Sequence, residues 1–432
     1  MKCVKITPAE LKGQIAVPPS KSISHRMLIC ASLAHGESII SNIAISDDVV
    51  ATLKGIKALS AKVRFVKGNS DNATYNVIIN GSGFPEIRQS TIDCMESGST
   101  LRFLIPIALL GGKEITFTGR GRLSQRPLDV YCRIFEKQGI YYYTNTGGLP
   151  ITFSGRLKPG VFYVDGNVSS QFISGLLFSL PLLDTDSEII VTTPMESKGY
   201  IDLTIDALKK FSIQVENHNY ECFKVKGNQS YKPTYCRVEG DYSQCAFWLV
   251  AGALNGNITC NDLDLNSLQG DKIIIDILSK MGATLAAEHN SVNTRSSRTF
   301  GITIDASQCP DLVPPLAVLG ALSQGTTKII NAGRLKLKES DRLKAISTEL
   351  AKLGAKITEF PDGLEIYGQI MLEGGTVDSW NDHRIAMALA VAALRCKKPV
   401  IIRNSDSVSK SYPNFWSDFR KLGGIIDEFY LR

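Results

Sequence analysis

The segment SKSISHRMLICASLAHG (Ser20–Gly36) combines two kinds of sequence that are usually kept apart. Its first seven residues include three serines, a lysine, a histidine and an arginine, and the residues that follow are almost all apolar. A helix that is apolar on nearly every side is typical of a protein core. The segment therefore predicts a buried helix with a polar, cationic start, followed by a strand at Ile39.

The same order, a buried helix followed by a strand, occurs six times along the chain. The strands begin with a β-branched residue at Ile39, Ile115, Ile189, Ile258, Ile329 and Val400, in steps of 76, 74, 69, 71 and 71 residues. The helices before them are SHRMLICASLA, STLRFLIPIALL, SSQFISGLLFSL, SQCAFWLVAGAL, DLVPPLAVLGAL and DHRIAMALAVAAL. This period indicates an internal repeat.

Each strand is followed by a polar turn and a second helix with an amphipathic pattern. In RLKAISTELAKLGAKI the apolar residues recur at steps of 3, 4 and 3, on one helical face. Several of these helices end at a glycine that suits a C-terminal cap, namely Gly139, Gly282, Gly354 and Gly423. Six such units over 432 residues predict two domains of three units each, with a break near Glu239-Gly240-Asp241.

Composition narrows the function classes. The net charge of +6 is spread along the chain, whereas nucleic-acid binders usually carry a basic block. The ten cysteines form no CxxC pair, which argues against zinc ribbons and redox dithiols. The start, MKCVKITPAELKG, lacks the apolar stretch of a signal peptide, and apolar runs such as 385–394 are too short to span a membrane. We expect a cytoplasmic protein with reduced thiols.

Cations recur at the starts of the predicted helices, where they oppose the helix dipole. The buried helices carry Lys21, Arg26, Arg102 and Arg384 near their starts. The polar turns add Arg122, Arg126, Lys198, Lys336, Lys338, Arg342 and Lys410. Helix N-termini also bind anions through free N–H groups. The repetition predicts a shared ligand with two or more anionic groups, such as a phosphate and a carboxylate.

Two carboxylates stand among these cations. Asp311 follows Cys309-Pro310 at the start of the fifth buried helix, and Glu339 lies between Lys338 and Ser340. Either could act as a general acid or base. The alternatives are a helix cap for Asp311 and a surface ion pair for Glu339, and the spacing alone does not decide between them.

The motifs PPSKSISHR, VDGNVSSQF, ESKGYID, EGDYSQ, LQGD, KESDRL and NDHRIAMA, taken together, resemble the EPSP synthase family of enolpyruvyl transferases over the whole chain. The family transfers the enolpyruvyl group of phosphoenolpyruvate (PEP) to the 5-hydroxyl of shikimate 3-phosphate and releases phosphate, in the shikimate pathway of aromatic amino acid biosynthesis. Both substrates are anionic. The resemblance implies no metal or other cofactor, and a monomer.

The resemblance also implies a role for individual residues. Asp311 is implied as the base for the 5-hydroxyl, Glu339 in proton transfer at the PEP methylene, and Lys21 as a further catalytic residue. The shikimate 3-phosphate site would comprise Lys21, Ser22, Arg26, Ser169, Ser170, Gln171, Ser197, Asp311 and Lys338. The PEP site would comprise Lys21, Gly98, Arg122, Gln171, Arg342, Arg384 and Lys410.

The implied fold is α/β (α+β), with two similar domains of three βαβαββ repeats each and the active-site cleft between them. Residues 1–19, as a first strand, would join residues 240–432 in one discontinuous domain, and residues 20–239 would form the other. The chain would then cross a hinge twice, near Pro19-Ser20 and near Glu239-Gly240.

The chain departs from the commonest family pattern at a few positions. Glu96-Ser97-Gly98-Ser99 stands where many members have Asn-Ala-Gly-Thr, Phe103 where proline is frequent, and Arg334 where asparagine is common. A carboxylate beside a PEP site should weaken anion binding unless a cation pairs with it. We hypothesise that Glu96 and Arg334 compensate for one another.

Three other functions compete with this interpretation. The sister family transfers enolpyruvate to UDP-N-acetylglucosamine, but it carries a reactive cysteine in the loop that corresponds to GRGRLSQRP, which has none. An RNA or polyphosphate binder would interleave exposed aromatic residues with the cations, a pattern that the six sites lack. A non-catalytic anion-binding paralogue is disfavoured by Lys21, Asp311, Glu339 and Lys410, whereas Glu96 leaves this alternative open.

Overall fold

A computed structural model describes residues 1–68, 74–145 and 147–431. The helices are α1 Lys21–Leu33, α2 Asp47–Ala58, α3 Gly98–Leu109, α4 Asp129–Lys137, α5 Ser170–Ser179, α6 Lys198–Lys210, α7 Tyr242–Asn255, α8 Ile274–Lys280, α9 Val313–Ala321, α10 Arg342–Lys352, α11 His383–Ala393 and α12 Phe415–Lys421. Short 3₁₀ helices cover Gly121–Gln125, Leu180–Leu182, Gly270–Ile273, Pro310–Leu312, Gly333–Leu337 and Ser405–Lys410.

The strands are β1 Lys2–Thr7, β2 Leu11–Ala16, β3 His35–Ala44, β4 Lys62–Lys67, β5 Thr74–Ser82, β6 Thr91–Asp93, β7 Ile115–Thr118, β8 Tyr141–Thr144, β9 Ile151–Ser154, β10 Val161–Val164, β11 Ser187–Val191, β12 Glu216–His218, β13 Cys222–Val225, β14 Tyr235–Arg237, β15 Gly256–Asn261, β16 Thr284–Glu288, β17 Ser291–Arg295, β18 Thr303–Asp305, β19 Thr326–Ile330, β20 Lys356–Phe360, β21 Gly363–Tyr367, β22 Gly375–Asp378, β23 Val400–Arg403 and β24 Ile425–Tyr430.

The strands form six four-stranded sheets that share one plan. Their orders are β14-β3-β5-β4, β6-β7-β9-β8, β10-β11-β13-β12, β2-β15-β17-β16, β18-β19-β21-β20 and β22-β23-β1-β24. In each sheet the first two strands run parallel and the other neighbours antiparallel. A parallel pair needs a crossover, and in four of the sheets the apolar helix between the two strands, α3, α5, α9 or α11, supplies it. This confirms the predicted six-fold repeat and the mixed α/β fold.

The chain divides into two compact units, one formed by Met1–Pro18 with Glu239–Arg432 and the other by Pro19–Val238. Each unit contains three of the six sheets and three of the apolar helices. The helices α1, α3 and α5 are nearly all buried in the core of the second unit, and α7, α9 and α11 in the core of the first. The predicted burial of these helices is confirmed.

The second helix of each repeat is present, and the four predicted glycine caps have the expected backbone. Gly139, Gly282, Gly354 and Gly423 have φ values between 74° and 95°, in the left-handed region that a glycine adopts without strain. Within the described residues, none of the helices has the length and apolar character that crossing a membrane requires.

One expectation about the N-terminus was wrong. Residues 1–19 were expected to form a single strand, but they contain two, which join different sheets of the same unit. β1 lies between β23 and β24, and β2 pairs with β15. A β-strand can pair with only one neighbour on each of its edges. Two sheets of this unit are completed by a strand from the N-terminal segment, one by β1 and the other by β2. In the other unit, β14 completes the sheet of β3 in the same way.

Candidate active site

In the Pro19–Val238 unit the starts of the buried helices α3 and α5 are hydrogen-bonded to each other. Gln171, at the start of α5, accepts a hydrogen bond from Nη1 of Arg102 at 2.8 Å. Its amide Nε2 donates to Oγ of Ser99 at 2.9 Å. Both partners lie in the first two turns of α3. These contacts hold the N-termini of the two helices next to each other.

A buried chain of polar side chains connects α1, α2 and α3. Nδ1 of His25 lies 2.7 Å from Oγ1 of Thr52, which lies 2.6 Å from Oγ1 of Thr100. Thr100 in turn donates to Oγ of Ser97 at 2.8 Å, the residue that caps α3. Burial lowers the pKa of His25 well below its ordinary value, so the imidazole is neutral at pH 7. The starts of all three buried helices of this unit are therefore tied together.

Arg26 lies in the second turn of α1, and its guanidinium turns back towards the helix start. It donates to the carbonyl of Ser22 at 2.7 Å, to Oγ1 of Thr204 at 2.8 Å and to the carbonyl of Tyr200 at 2.9 Å. The guanidinium also stacks over Phe103, 5.2 Å from the ring centroid. Burial lowers the pKa of Arg26 to about 10, which keeps it charged at neutral pH.

Lys21 opens α1 and forms an ion pair with the protein itself. Its Nζ lies 2.7 Å from Oδ2 of Asp48, in the first turn of α2. The nearby serines have other roles in the backbone. Ser169 caps α5, and Ser197, which precedes α6, has a φ of 54° and is almost fully buried. A left-handed serine is uncommon and points to a functional constraint on this turn.

Gly98 opens α3 against two guanidinium groups. A Cβ atom at this position would lie 2.7 Å from Nη1 of Arg126 and 3.1 Å from Nη1 of Arg102. A side chain here would displace a guanidinium group, so the glycine allows two arginines to lie against the start of α3. This is the geometry of an anion site at a helix start.

The unusual Glu96 lies next to the turn that carries Arg122. Gly121 has a φ of +57°, and a Cβ atom on it would lie 2.7 Å from Oε2 of Glu96. The carboxylate therefore packs against the backbone immediately before Arg122, in the 3₁₀ helix Gly121–Gln125. Arg334, its hypothesised partner, donates to the carbonyl of Ser307 at 3.0 Å.

In the other unit, Arg342 binds three carboxylates at once. Its Nε donates to Oδ2 of Asp382 at 2.8 Å, Nη1 to Oδ1 of Asp311 at 2.9 Å and Nη2 to Oε2 of Glu339 at 2.6 Å. The Arg342 side chain is 2% exposed, while Asp311 and Glu339 remain partly exposed at 15% and 16%. Both carboxylates are therefore held by Arg342 while part of each side chain remains exposed.

Arg384 joins the starts of the three buried helices of this unit. From α11, its Nη2 donates to Oδ2 of Asp311, ahead of α9, at 2.8 Å and to Oγ of Ser243 on α7 at 2.9 Å. Asp382 caps α11 by accepting the backbone N–H of Arg384 at 2.9 Å. Nζ of Lys410 donates to the carbonyl of Asn381 at 2.6 Å.

The charges of this cluster set the protonation state of its members. Burial would raise the pKa of the Asp311 carboxyl, but the surrounding cations, Arg384 foremost, hold it well below its usual range. Burial lowers the pKa of Lys338 to about 8, against the opposing effect of Asp311, whose Oδ1 lies 3.8 Å away. At pH 7 Asp311 is therefore ionised, and Lys338 is still mostly protonated.

The structure excludes the two alternatives to a catalytic role that the sequence left open for Asp311 and Glu339. Asp311 lies in the 3₁₀ turn Pro310–Leu312, and the helix that follows, α9, has no side-chain cap, so Asp311 is not a capping residue. Glu339 pairs with a buried arginine, so it is not a surface ion pair.

Two carboxylates that bind the predicted cations were not predicted from the sequence. Asp48 pairs with Lys21, and Asp382 holds Arg342 and caps α11. Both stand at helix starts, where an aspartate predicts only a cap or a favourable dipole interaction. For Asp382 the available signal is an acid just before the basic residues of NDHR.

Solved structures define the class. An EPSP synthase from Acinetobacter baumannii superposes with a TM-score of 0.83 at 24% identity and covers 100% of both chains. The enolpyruvyl transferase NikO from Streptomyces tendae superposes with a TM-score of 0.81 at 16% identity, over 100% of this chain and 99% of the other. The fold is that of the enolpyruvyl transferases.

The family model for EPSP synthase (3-phosphoshikimate 1-carboxyvinyltransferase) matches residues 6–419. The chain belongs to this family. Among its relatives, a 3-phosphoshikimate 1-carboxyvinyltransferase of Clostridium novyi is 58% identical over 100% of both chains, and one of Clostridium acetobutylicum is 56% identical over 100% of both. The resemblance drawn from the sequence motifs is confirmed.

Proposed function

We propose that this protein transfers the 1-carboxyvinyl group of PEP to the 5-hydroxyl of shikimate 3-phosphate and releases inorganic phosphate. The observation that carries the proposal is the Arg342 cluster, in which two partly exposed carboxylates lie on one buried arginine beside Arg384. An addition followed by an elimination needs both a proton acceptor and a proton donor next to the cations that bind the phosphate, and this cluster supplies them.

A set of residues is proposed for each of the two substrates. We assign the phosphate and ring hydroxyls of shikimate 3-phosphate to Lys21, Ser22, Arg26, Ser169, Ser170, Gln171, Ser197, Asp311 and Lys338. We assign the phosphate and carboxylate of PEP to Lys21, Gly98, Arg122, Gln171, Arg342, Arg384 and Lys410. Paired guanidinium groups suit the bidentate binding of both anionic groups of PEP.

Asp311 accepts the proton of the 5-hydroxyl as that oxygen bonds to C2 of PEP, and Glu339 donates a proton to C3. The product of this addition is a tetrahedral intermediate with a protonated methyl group. In the elimination the C2–O bond to phosphate breaks, phosphate leaves with the bonding electrons and takes up the proton held by Asp311, and the methyl group returns its proton to Glu339. Lys21 and the PEP-binding arginines stabilise the negative charge that builds on the departing phosphate.

Substrate binding itself makes Asp311 a better base. In the free protein the cations around Asp311 hold its pKa low, which makes a carboxylate a poor proton acceptor. PEP would bring two anionic groups to Arg342 and Arg384, and the attraction of these cations for Asp311 would be shared with the substrate. The pKa of Asp311 would then rise towards its ordinary value at the moment when a proton must be accepted.

The two substrate sets draw on residues of both compact units. Lys21, Arg122 and Gln171 belong to Pro19–Val238, whereas Arg342 and Lys410 belong to the other unit. We propose that the units are the two domains of the enzyme and that the active site is the cleft between them. The two crossings of the chain would act as the hinge.

The test is phosphate release from PEP by the purified protein, with shikimate 3-phosphate as the acceptor and UDP-N-acetylglucosamine in a parallel reaction. We expect release with the shikimate ester alone. Release with the nucleotide sugar would assign the chain to the sister activity. Release with neither acceptor, from folded protein that binds PEP, would mean that the protein is an anion-binding paralogue.

A further inference from the structure

The segment Asp378–Asp382, which leads into α11, has an unusual backbone. Trp380 and Asn381 have φ values of 54° and 53°, so two consecutive residues other than glycine adopt the left-handed conformation. Side chains rarely tolerate this conformation, and it persists only where the surroundings hold it in place. The segment ends at Asp382, which orients Arg342 and caps the helix of Arg384.

A fully buried carboxylate, that of Glu349, holds the first half of this segment. Its Oε1 accepts the indole Nε1–H of Trp380 at 2.7 Å, and its Oε2 accepts the backbone N–H of Asp378 at 3.0 Å. Nζ of Lys352 lies 2.8 and 2.9 Å from the two oxygens and offsets the charge. A buried carboxylate is stable only with such partners, so the position of Glu349 is fixed.

Helix α10 therefore contacts both ends of the segment Asp378–Asp382. Arg342, the first residue of α10, binds the carboxylate of Asp382, and Glu349, seven residues later, binds Asp378 and Trp380. Seven residues are about two helical turns, so both residues lie on one face of α10. The left-handed pair between these contacts is fixed from both sides.

We propose that Glu349 is a positioning residue for the PEP-binding arginines, an inference that rests on the proposed function. By holding Trp380 and the backbone of Asp378, it fixes the left-handed pair and hence the carboxylate of Asp382. Asp382 then sets the orientation of Arg342 and the start of α11, from which Arg384 extends. Glu349 itself contacts no substrate in this arrangement.

The test compares Michaelis constants for both substrates in Glu349→Gln. The amide would turn an NH₂ group towards one of the two N–H donors, so the contact with either Trp380 or Asp378 would be lost. We expect the KM for PEP to rise at least tenfold and the KM for shikimate 3-phosphate to change less than twofold. The matched control is Glu359→Gln, which removes a carboxylate that α10 contacts through Ser347 at 2.9 Å. The control should leave both constants within twofold of the wild type.

A second variant guards against misfolding of the first. Trp380→Phe keeps a ring at the left-handed position and removes only the indole donor, and we expect about a threefold rise in the KM for PEP. A purely structural role would lower the fraction of active protein, and with it kcat, at unchanged KM. An unchanged KM for PEP in both Glu349→Gln and Trp380→Phe would overturn the positioning role. An equal rise in the KM for PEP and the KM for shikimate 3-phosphate would overturn it as well. A wild-type protein that releases no phosphate from PEP with shikimate 3-phosphate would instead refute the proposed function.

Discussion

Asp311 lies between two arginines from different elements, with Oδ1 2.9 Å from Nη1 of Arg342 and Oδ2 2.8 Å from Nη2 of Arg384. Each carboxylate oxygen is thus bound to a different guanidinium. The arrangement fixes the orientation of a proposed base, but it also suppresses its basicity until substrate anions share the arginines. The free protein and the substrate complex should therefore differ in the proton affinity of one group.

The first prediction concerns Asp311→Asn. The amide keeps the size of the carboxylate, but its single oxygen can accept from only one of the two arginines, and it cannot accept the proton of the 5-hydroxyl. We expect the single-turnover rate constant for phosphate release to fall by about 10²–10⁴-fold, the range for loss of a general base. The control is Asp305→Asn, a nearby carboxylate on β18 bonded to Ser307 and Asn331. A loss of less than tenfold in Asp311→Asn would rule out its role as the base.

The second prediction concerns proton uptake by Lys338 on binding of shikimate 3-phosphate. With a pKa of about 8, Lys338 is half protonated at pH 8 in the free protein. A bound phosphate favours the charged form and raises this pKa. We expect an uptake of about half a proton at pH 8 and much less at pH 6, where the lysine is already charged.

Titration calorimetry in two buffers of different ionisation enthalpy measures this uptake. Lys338→Arg serves as the control, because a guanidinium stays protonated throughout this range. The Lys338→Arg protein should bind the substrate without the extra proton. Equal uptake by the wild type and Lys338→Arg would assign the proton to another group.

The periodic part of the fold could be predicted from the sequence because it depends on local patterns. The six apolar helices, the strands after them and the glycine caps each follow from a few consecutive residues. The pairing of strands from distant segments of the chain could not be predicted in this way. The pairing of β2 with β15 joins residues about 245 apart, and no pattern within either strand specifies the partner.

The candidate site divides in the same way. The excess of cations at helix starts predicted anionic ligands, and the family motifs named the residues. The sequence could not reveal that the protein neutralises several of these cations itself. Lys21 is paired with Asp48, and Arg342 with three carboxylates, through contacts between separate helices and turns. Such pairs depend on tertiary packing, so the positions of charged residues in the sequence do not show which of them meet.

The third prediction is that the two substrates together make the protein more compact. The proposed substrate sets belong to two separate units, so they can bind one ligand pair only if the units close on it. We expect small-angle X-ray scattering to show a smaller radius of gyration with shikimate 3-phosphate and PEP than without them. Inorganic sulfate at the same ionic strength is the control. An unchanged radius under saturating substrates would contradict closure of the two domains.

The fourth prediction tests whether Glu96 and Arg334 compensate for one another. Glu96 packs against the turn of Arg122, where an unpaired carboxylate would oppose PEP binding. We expect Glu96→Asn and Arg334→Asn each to raise the KM for PEP, and the double variant to cost less than the two single changes summed. A coupling of about 0.5–3 kcal/mol is typical of residues in contact. The control is the same cycle with Glu114→Asn, at an exposed glutamate, in place of Glu96→Asn. The effects of the two changes in this control cycle should be additive. A double variant that costs at least the sum of the single changes would exclude compensation, and the extra carboxylate at the Arg122 turn would then need another explanation.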